Sequence, residues 1–355
     1  MKAAVIREFG PPEVLRIEEL PEPRPGPQEV VVQVRAVRVG GLLDVGTRAG
    51  RNPFARITFP HVLGSDFAGE VVEVGSDDVQ FAPGDRVAGV PFITCGLCHA
   101  CSIGRDDACP KAQLIGVHRQ GSYADLVAVP DRVLRRIPDN ITFEQAAAMA
   151  VSGPVAVTQL QIAELKPGDW VLVTAAASGL GLVTSLVAKR LGARVIATSR
   201  KEWKREMLQD HGLEAVLDTE STEFVDRVGE LTGGEGVAIA IDNTSSAALF
   251  AKLAAVLSRL GVIVTSGALA AETVPLDMRS LYLKSQSVIG IRTHTRAGLD
   301  GFWRLAQDGI EARVDKTYPL EDVVEAHRYV EAERNFGRVL LTVNSEAQRA
   351  PSTER

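Results

Sequence analysis

Two patterns of hydrophobic and polar residues divide the chain. Up to about residue 150, short segments that alternate apolar and polar positions, such as Glu29–Val37 and Glu70–Val74, are bounded by turns containing proline and glycine. This pattern predicts an all-β region. From about Lys166 onward, apolar strands alternate with helical segments, beginning with strand Trp170–Thr174 and helix Leu180–Leu191. Such alternation predicts a parallel sheet with crossover helices.

The alternation continues to Ile291 and then changes character. Further strands are predicted at Val195–Thr198, Ala215–Leu217, Val237–Ile241, Val262–Thr265 and Val288–Ile291. Beyond about Thr293, the pattern indicates helices Leu299–Asp308 and Glu321–Glu333 and a final strand Arg338–Val343. The Glu-rich helix, with His327 and Arg328, is interpreted as a solvated face, and the polar tail 345–355 is expected to be flexible.

Composition excludes several classes of protein. The 355 residues suit two domains, and 45% hydrophobic with 24% charged residues are values of a globular chain. A net charge of −6 argues against a nucleic-acid partner. No window approaches about 20 uninterrupted apolar residues, so no membrane association is expected. The first residues lack a signal-peptide core, and we therefore expect a cytoplasmic protein.

Four cysteines lie within one short segment: Cys95, Cys98, Cys101 and Cys109. Two successive C-x-x-C steps followed by a fourth cysteine supply the four thiolates of a tetrahedral zinc site. Disulfides are the alternative, but they are rare in a reducing compartment. A four-thiolate site is closed to water and substrate, so the predicted Zn²⁺ is structural, with one ion per chain.

A glycine-containing turn follows the first parallel strand. Ala175–Gly181 reads AAASGLG and leads directly into a helix. Small residues at a helix N-terminus let the backbone approach a pyrophosphate, and this strand–turn–helix context is the one that dinucleotide binding requires. The predicted cofactor-binding residues are Ser178, Gly179, Leu180 and Gly181 in the turn, Ser199, Arg200 and Lys204 after the second strand, and Asn243, Ser266 and Gly267 after later strands.

The residues after the second strand distinguish the two nicotinamide cofactors. A ribose 2′-hydroxyl is usually bound by Asp or Glu about 20 residues after the glycines. This chain has Ser199-Arg200-Lys201 there, with Lys204 one turn later. Cations oppose the dipole at a helix start, so a bound anion explains them better than solvation does. NADPH is therefore predicted in preference to NADH.

Several motifs together resemble the medium-chain dehydrogenase/reductase superfamily, over roughly Met1 to Val343. These motifs are the opening MKAAVIREFGPPEVL, Gly64–Val72, Pro83–Val87, the cysteine segment, the AAASGLG turn and Gly337–Leu341. The resemblance implies an α/β fold with a GroES-like β-rich catalytic domain and a doubly wound Rossmann domain inserted within it, and a cofactor cleft between them. It also implies a homodimer or homotetramer, often formed through the final Rossmann strand near Ser287–Ile291.

Domain boundaries follow from the resemblance and the pattern. The GroES-like domain is expected at 1–152, with the zinc lobe at 95–109. The NADPH-binding Rossmann domain is expected at 153–292. The segment 293–344 returns to the catalytic domain, and 345–355 is the tail.

The chain departs from the zinc-dependent alcohol dehydrogenases of this family at the catalytic metal. The positions of the family's first Cys, its His-Glu pair and its second Cys are occupied here by Gly41, Ser65-Asp66 and Val151. The hydroxyl that relays the alcohol proton is replaced by Leu43. The resemblance therefore implies that the catalytic metal is lost while the structural one remains.

Without a Lewis acid, reduction of a plain ketone is difficult, because charge builds on one oxygen. The zinc-free quinone oxidoreductase and enoyl reductase branch reduces activated C=C bonds or quinones, and the Ala-rich turn is similar to its fingerprint. That activity on a small-molecule substrate is the predicted function. A carbonyl or alcohol oxidoreductase and a non-catalytic NADPH-binding protein are the alternatives. No general acid is assigned; the catalytic candidates are Asp44, Ser65 and Asp66.

Overall fold

The computed structural model describes residues 1–267 and 272–343. Its strands are, in chain order, β1 Lys2–Ile6, β2 Arg16–Glu19, β3 Glu29–Arg38, β4 His61–Val62, β5 Phe67–Val74, β6 Arg86–Gly89, β7 Phe92–Ile93, β8 Gln113–Leu114, β9 Leu126–Pro130, β10 Leu134–Arg136, β11 Trp170–Val173, β12 Arg194–Thr198, β13 Ala215–Leu217, β14 Val237–Asp242, β15 Leu257–Thr265, β16 Ser287–Gly290, β17 Val314–Pro319 and β18 Arg338–Thr342.

Its α-helices are α1 His99–Ser102, α2 Phe143–Met149, α3 Ser152–Ile162, α4 Gly179–Arg190, α5 Glu202–Gln209, α6 Phe224–Leu231, α7 Ala247–Val256, α8 Met278–Lys284, α9 Arg296–Ala306 and α10 Val323–Glu331. A π-helical turn, Gly41–Gly46, follows β3.

The predicted final strand, Arg338–Val343, is confirmed to within one residue, because β18 spans Arg338–Thr342. The predicted tail, 345–355, lies outside the described residues.

The chain forms two compact units. Unit 1 comprises Met1–Cys95, Lys111–Val151 and the chain from Arg313 onward, and unit 2 comprises Gly96–Pro110 and Ser152–Ala312. This division differs from the predicted boundaries in two places, because residues 96–110 of the cysteine segment and residues 293–312 belong to unit 2, while Cys95 itself belongs to unit 1. Hydrogen bonds within unit 2 explain this: the Arg296 N–H donates to Asp106 at 3.0 Å, and Arg105 donates to the Gly290 carbonyl at 3.2 Å.

Unit 1 is built around a seven-stranded sheet. Its path is β10-β6-β5-β3-β18-β17, and β9 also pairs with β3. The ten-residue β3 has room for three antiparallel partners: β5 on one edge, and β9 and β18 in succession on the other. The sheet buries the apolar side chains of β3, with Val30, Val32 and Val34 fully inaccessible. The carboxyl end of β3 thus lies beside the amino ends of β5 and β18.

Unit 2 is a six-stranded parallel sheet in the order β13-β12-β11-β14-β15-β16. The strand order reverses between β11 and β14, which makes this the switch point of a doubly wound sheet. Helices α6 and α7 pack Phe224, Val228 and Leu253 against the sheet in one buried cluster. The predicted Rossmann topology is confirmed, and ligands of such sheets bind at the carboxyl ends of the strands beside the switch point.

Candidate functional site

The four cysteines converge as the spacing predicts. Their sulfur atoms all lie within 4.8 Å of one another, and Cys98 Sγ is 3.5 Å from Cys101 Sγ and 3.9 Å from Cys109 Sγ. A tetrahedral zinc with bonds of about 2.3 Å places its sulfur ligands about 3.8 Å apart, so the set fits this ion. Among the described residues, these four are the only group of three or more Cys, His, Asp or Glu side chains placed to share a metal ion.

The AAASGLG turn has the backbone that a close-approaching ligand requires. Ser178 caps α4 by accepting a hydrogen bond from the Gly181 N–H at 3.0 Å, and Gly179 and Leu180 form the first residues of the helix. A Cβ atom at Gly181 would lie 2.3 Å from the Ala175 carbonyl oxygen, so only glycine fits. Ala175 itself has a positive φ of 48°. The free N–H groups of this helix N-terminus favour an anion such as a pyrophosphate.

A buried polar network joins the next predicted cofactor residues at the switch point. The Ser266 hydroxyl donates to Asn243 Oδ1 at 2.8 Å, and the Asn243 amide donates to the Thr174 carbonyl at 3.3 Å. A Cβ at Gly267 would lie 2.1 Å from the Asn243 carbonyl oxygen. The ends of β11, β14 and β15 are therefore fixed to one another at the place where a cofactor of this fold binds.

Sequence reasoning missed the residue at the centre of that network. Gln159 of α3 is fully buried. Its amide donates to Asn243 Oδ1 at 2.9 Å and to Ser266 Oγ, and its carbonyl oxygen accepts from Thr184 Oγ1 at 2.7 Å. The available signal was an amide within a mostly apolar helix, Ser152–Ile162, because a buried amide requires partners.

The predicted 2′-phosphate residues lie at the end of β12 and the start of α5. Ser199 is buried, and its N–H donates to the Leu217 carbonyl at 3.2 Å. Arg200 is exposed, 3.8 Å from a Glu220 carboxylate oxygen, and Lys204 Nζ lies 5.1 Å from the centre of the Trp203 ring. Among the described residues, no hydrogen bond joins Ser199 or Arg200 to the network around Asn243.

A neighbouring arginine holds this loop in place. Arg205 pairs with Asp218 at 2.9 Å and donates to the carbonyl oxygens of Ser199 and Arg200. The carboxylate that follows β13 therefore binds Arg205. The exposed ion pair of Arg200 is of a type that contributes little, so its guanidinium is available to an anion.

The three catalytic candidates come together in unit 1, where the ends of β3 and β5 meet. Asp44, within the π-helical turn, is fully buried and accepts hydrogen bonds from the N–H groups of Gly40 at 2.6 Å and Gly64 at 3.2 Å. Burial raises the pKa of this carboxyl to about 7, against the lowering effect of the Arg38 charge. Both Asp44 oxygens thus fix backbone, which is a structural role.

Asp66 forms an ion pair with Arg38. The Arg38 Nε–H donates to Asp66 Oδ2, and the Ser65 hydroxyl donates to Asp66 Oδ1 at 2.9 Å. Ser65 and Asp66 are buried. Asp66 thus pairs with a cation through one oxygen and accepts a hydroxyl hydrogen bond through the other.

Close to this group, a tyrosine and a histidine form a buried pair. The Tyr123 hydroxyl lies 3.2 Å from His327 Nε2, and neither side chain is accessible. The sequence analysis places His327 on a solvated helix face, and this is wrong at His327. The face of α10 that carries His327 packs against the interior of unit 1. Burial lowers the pKa of His327 to about 3, so the imidazole is neutral.

Two family models match the chain. The alcohol dehydrogenase GroES-like domain matches residues 26–139, which belong to unit 1 apart from 96–110, and the zinc-binding dehydrogenase model matches residues 179–308, within unit 2. An uncharacterized zinc-type alcohol dehydrogenase-like protein of Haemophilus influenzae is 31% identical over 321 residues, covering 86% of this chain and 89% of that protein. The chain belongs to the medium-chain dehydrogenase/reductase superfamily of oxidoreductases.

Other relatives in this superfamily carry different activities in their names. An NAD-dependent alcohol dehydrogenase of Sulfolobus acidocaldarius is 30% identical, covering 97% of this chain and all of that protein. An acryloyl-coenzyme A reductase of Metallosphaera sedula is 26% identical, covering 96% and 100%. Relatives named as dehydrogenases and relatives named as reductases therefore have similar sequence identity to this chain.

Solved structures agree on the fold. A protein named AibC superposes with a TM-score of 0.91 at 33% identity, covering 97% of this chain and 96% of that chain. A cobalt- and zinc-bound alcohol dehydrogenase of Pyrobaculum aerophilum gives 0.84 at 32%, covering 96% and 99%. A mycobacterial quinone oxidoreductase gives 0.81 at 30%, also covering 96% and 99%.

Proposed function

We propose that this protein is an NADPH-dependent reductase of activated C=C bonds, in enones or enoyl compounds, or of quinones, and that it works without a catalytic metal. The proposal rests on which residues unit 1 has at the positions of the family's catalytic metal ligands. The positions of the family's catalytic metal ligands hold Gly41, Ser65-Asp66 and Val151, and the one carboxylate among them is bound by Arg38 and Ser65.

Cofactor binding is assigned to unit 2. Ser178, Gly179, Leu180 and Gly181 would hold the pyrophosphate at the N-terminus of α4, and Asn243, Ser266 and Gly267 would lie along the nicotinamide half. Bound there, NADPH supplies a hydride. The chain's own part is to hold the acceptor and to stabilise the charge that develops on it.

The choice of acceptor follows from where that charge goes. When a hydride forms a bond with the β-carbon of an enone, the C=C electron pair moves toward the carbonyl oxygen and gives an enolate. The enolate then takes a proton from water at its α-carbon. Because the negative charge is delocalised, hydrogen-bond donors are sufficient to stabilise it, whereas a plain ketone places a full alkoxide charge on one oxygen.

The test compares matched acceptors. We expect NADPH consumption with 2-cyclohexenone or 1,4-naphthoquinone and at least a hundredfold lower kcat/KM with cyclohexanone. A carbonyl or alcohol oxidoreductase is the second candidate, favoured by relatives named as alcohol dehydrogenases. Equal turnover of cyclohexanone would establish that candidate instead. NADPH binding without turnover of any acceptor would favour a non-catalytic NADPH-binding protein.

Cofactor preference has a test of its own. The double change Arg200→Ala and Lys204→Ala should raise the Kd for NADPH at least tenfold and leave that for NADH within twofold, because only the 2′-phosphate loses its cations. Arg194→Ala, at the other end of β12, is the matched control. Equal losses for both cofactors would remove the 2′-phosphate assignment.

A further inference from the structure

Arg38 has an ion-pair partner, yet most of its hydrogen-bonding groups are unused. A guanidinium carries five N–H donors, and the single Nε–H of Arg38 donates to Asp66. Within residues 1–267 and 272–343, neither Nη group of Arg38 has a hydrogen-bond partner. The side chain is 13% exposed, so four donors lie at the edge of the protein interior.

Two glycines shape the space around this guanidinium. A Cβ atom on Gly40 would lie 2.7 and 2.9 Å from the two Nη atoms of Arg38 and 2.8 Å from Asp44 Oδ2. The guanidinium can therefore lie against the backbone only because residue 40 is glycine. A Cβ atom on Gly41 would meet nothing within 4 Å. Residue 40 thus faces the guanidinium, whereas residue 41, the next in the chain, faces open space.

The position of Arg38 is fixed in advance of any ligand. Its backbone N–H donates to the Asp66 carbonyl at 2.9 Å, so the two residues are joined by main chain as well as side chains. Ser65 donates to the other Asp66 oxygen and prevents that carboxylate from rotating freely. Donors held in place before the reaction stabilise developing charge without reorganisation.

The charges nearby leave this guanidinium able to take another anion. Both Asp44 oxygens are occupied by backbone N–H groups, and burial raises the pKa of Asp44 to about 7. A second guanidinium, Arg338 at the start of β18, adds to the positive potential, and its buried Nε has no partner. Burial together with the charge of Arg38 lowers the pKa of Arg338 to about 9, so it remains protonated at neutral pH.

We propose that Arg38 binds the acceptor's carbonyl oxygen through its Nη groups and stabilises the negative charge that forms there, the role that a Lewis acid has in metal-dependent relatives. This inference rests on the proposed function and narrows it. The acceptor must carry an oxygen conjugated with the reducible bond, which describes enones, enoyl thioesters and quinones. Simple alkenes lack such an oxygen and are excluded.

Binding of an anion probe tests the proposal without any turnover. The full-length, zinc-loaded protein with saturating NADP⁺ is titrated calorimetrically with crotonate, and with crotonamide as its uncharged counterpart. The test variant is the double change Arg38→Gln and Asp66→Asn, which removes both members of the ion pair together, so that neither is left without the other. Arg35→Lys, on the same strand and paired with Glu70, is the control.

We expect crotonate to bind the double variant at least tenfold more weakly than the wild type, whereas crotonamide changes less than twofold. Arg38→Lys keeps the charge but loses the forked donors, and it should give an intermediate Kd. Unchanged crotonate binding in the double variant, with a thermal unfolding midpoint close to that of the wild type, would overturn the proposal.

Kinetics separate this inference from the proposed function. If 2-cyclohexenone is reduced, Arg38→Lys should lower kcat about 100-fold, the usual effect of losing an oxyanion donor, with little change in the Kd for NADPH. Full activity of Arg38→Lys and of the double variant would refute the role of Arg38 while the reductase activity stands. If the wild type reduces no acceptor but loses crotonate binding with Arg38, only the reductase assignment fails.

Discussion

Glycine residues define how closely other groups approach the backbone in both units. Gly40 admits the Arg38 guanidinium, Gly181 admits the Ala175 carbonyl, and Gly267 lies against the Asn243 carbonyl. In each case a single methyl group would come within 3 Å of another atom. The contacts of Gly40 and Gly181 are local in sequence, whereas Gly267 meets a separate chain segment. Gly181 and Gly267 are among the predicted cofactor-binding residues, and Gly40 is not.

Asp44 gives a pH-dependent contribution to stability. Its pKa is about 7 in the folded protein and near 4 when unfolded, so the folded state binds more protons between these values. Its stabilisation is complete below about pH 4 and is lost as the pH rises through 7. From pH 5 to pH 8, the free energy of unfolding of the wild type should fall by about 2–3 kcal/mol relative to Asp44→Asn.

Urea unfolding of both proteins across this pH range measures the difference. A constant difference between pH 5 and pH 8 would show that Asp44 stays ionised in the folded protein. The same result would mean that its two backbone hydrogen bonds offset the effect of burial on its pKa.

At the scale of elements, α3 contributes more than packing. Gln159 joins α3 to α4 through Thr184 and to the ends of β14 and β15 through Asn243 and Ser266. Gln159→Leu leaves the Thr184 hydroxyl without its acceptor, at a cost of about 1–3 kcal/mol. We expect the Kd for NADPH to rise five- to tenfold, because Asn243 and Ser266 lose their alignment.

Gln161→Leu is the matched control, since Gln161 is exposed on the same helix. Fluorescence titration with NADPH and thermal unfolding give the two readouts. Equal effects of the two substitutions would mean that the network does not position the cofactor residues.

We expect bound zinc to stabilise the fold of the zinc lobe, residues 95–109. Cys98→Ser should reduce bound zinc from one ion per chain to less than half and lower the unfolding temperature, because a closed four-thiolate site loses a ligand. NADPH binding should change less than twofold. Ser102→Ala, in the same lobe, serves as control, and metal analysis gives the zinc content. Two zinc ions per wild-type chain would contradict the assignment of a single structural site.

At the scale of the whole molecule, the sheet of unit 2 suggests how copies of the chain associate. Strand β16 pairs with β15 and has no second partner among the described strands, and Val288 on β16 is 40% exposed. Nearby on α8, Tyr282 and Leu283 are also exposed. An uncovered strand edge with apolar side chains favours pairing with a second copy.

We therefore expect a homodimer that Val288→Arg converts to monomer in sedimentation velocity, because two arginines would meet across the new strand pair. Arg292→Lys, just beyond the strand, should leave the dimer intact. A wild-type monomer at micromolar concentration would contradict the prediction.

A search of the described residues for membrane-spanning helices finds none with the length and hydropathy that a span requires.

Local patterns determined most of the architecture. Three kinds of local feature were readable from the sequence: the strand and helix periods, the two C-x-x-C steps and the AAASGLG turn. Each lies within about 20 consecutive residues, so the residues that define it are neighbours in the sequence. The six-stranded parallel sheet, the converging cysteines and the N-capped helix of the cofactor turn followed from such segments. The departures at Gly41, Asp66 and Val151 were also visible in the sequence, because they are read against a family pattern.

Only the tertiary structure decided which polar side chains meet. Arg38 and Asp66 are 28 residues apart, Gln159 and Asn243 are 84 apart, and Tyr123 and His327 are 204 apart. The first pair is partly buried and the other two are buried, and the energy of each depends on desolvation and on the partner that the fold supplies. A periodicity assigns a residue to a face, but it does not specify what lies opposite. That is why His327 was expected at a solvated face, and why the unused donors of Arg38 became apparent only once β3, β5 and the glycine turn were seen together.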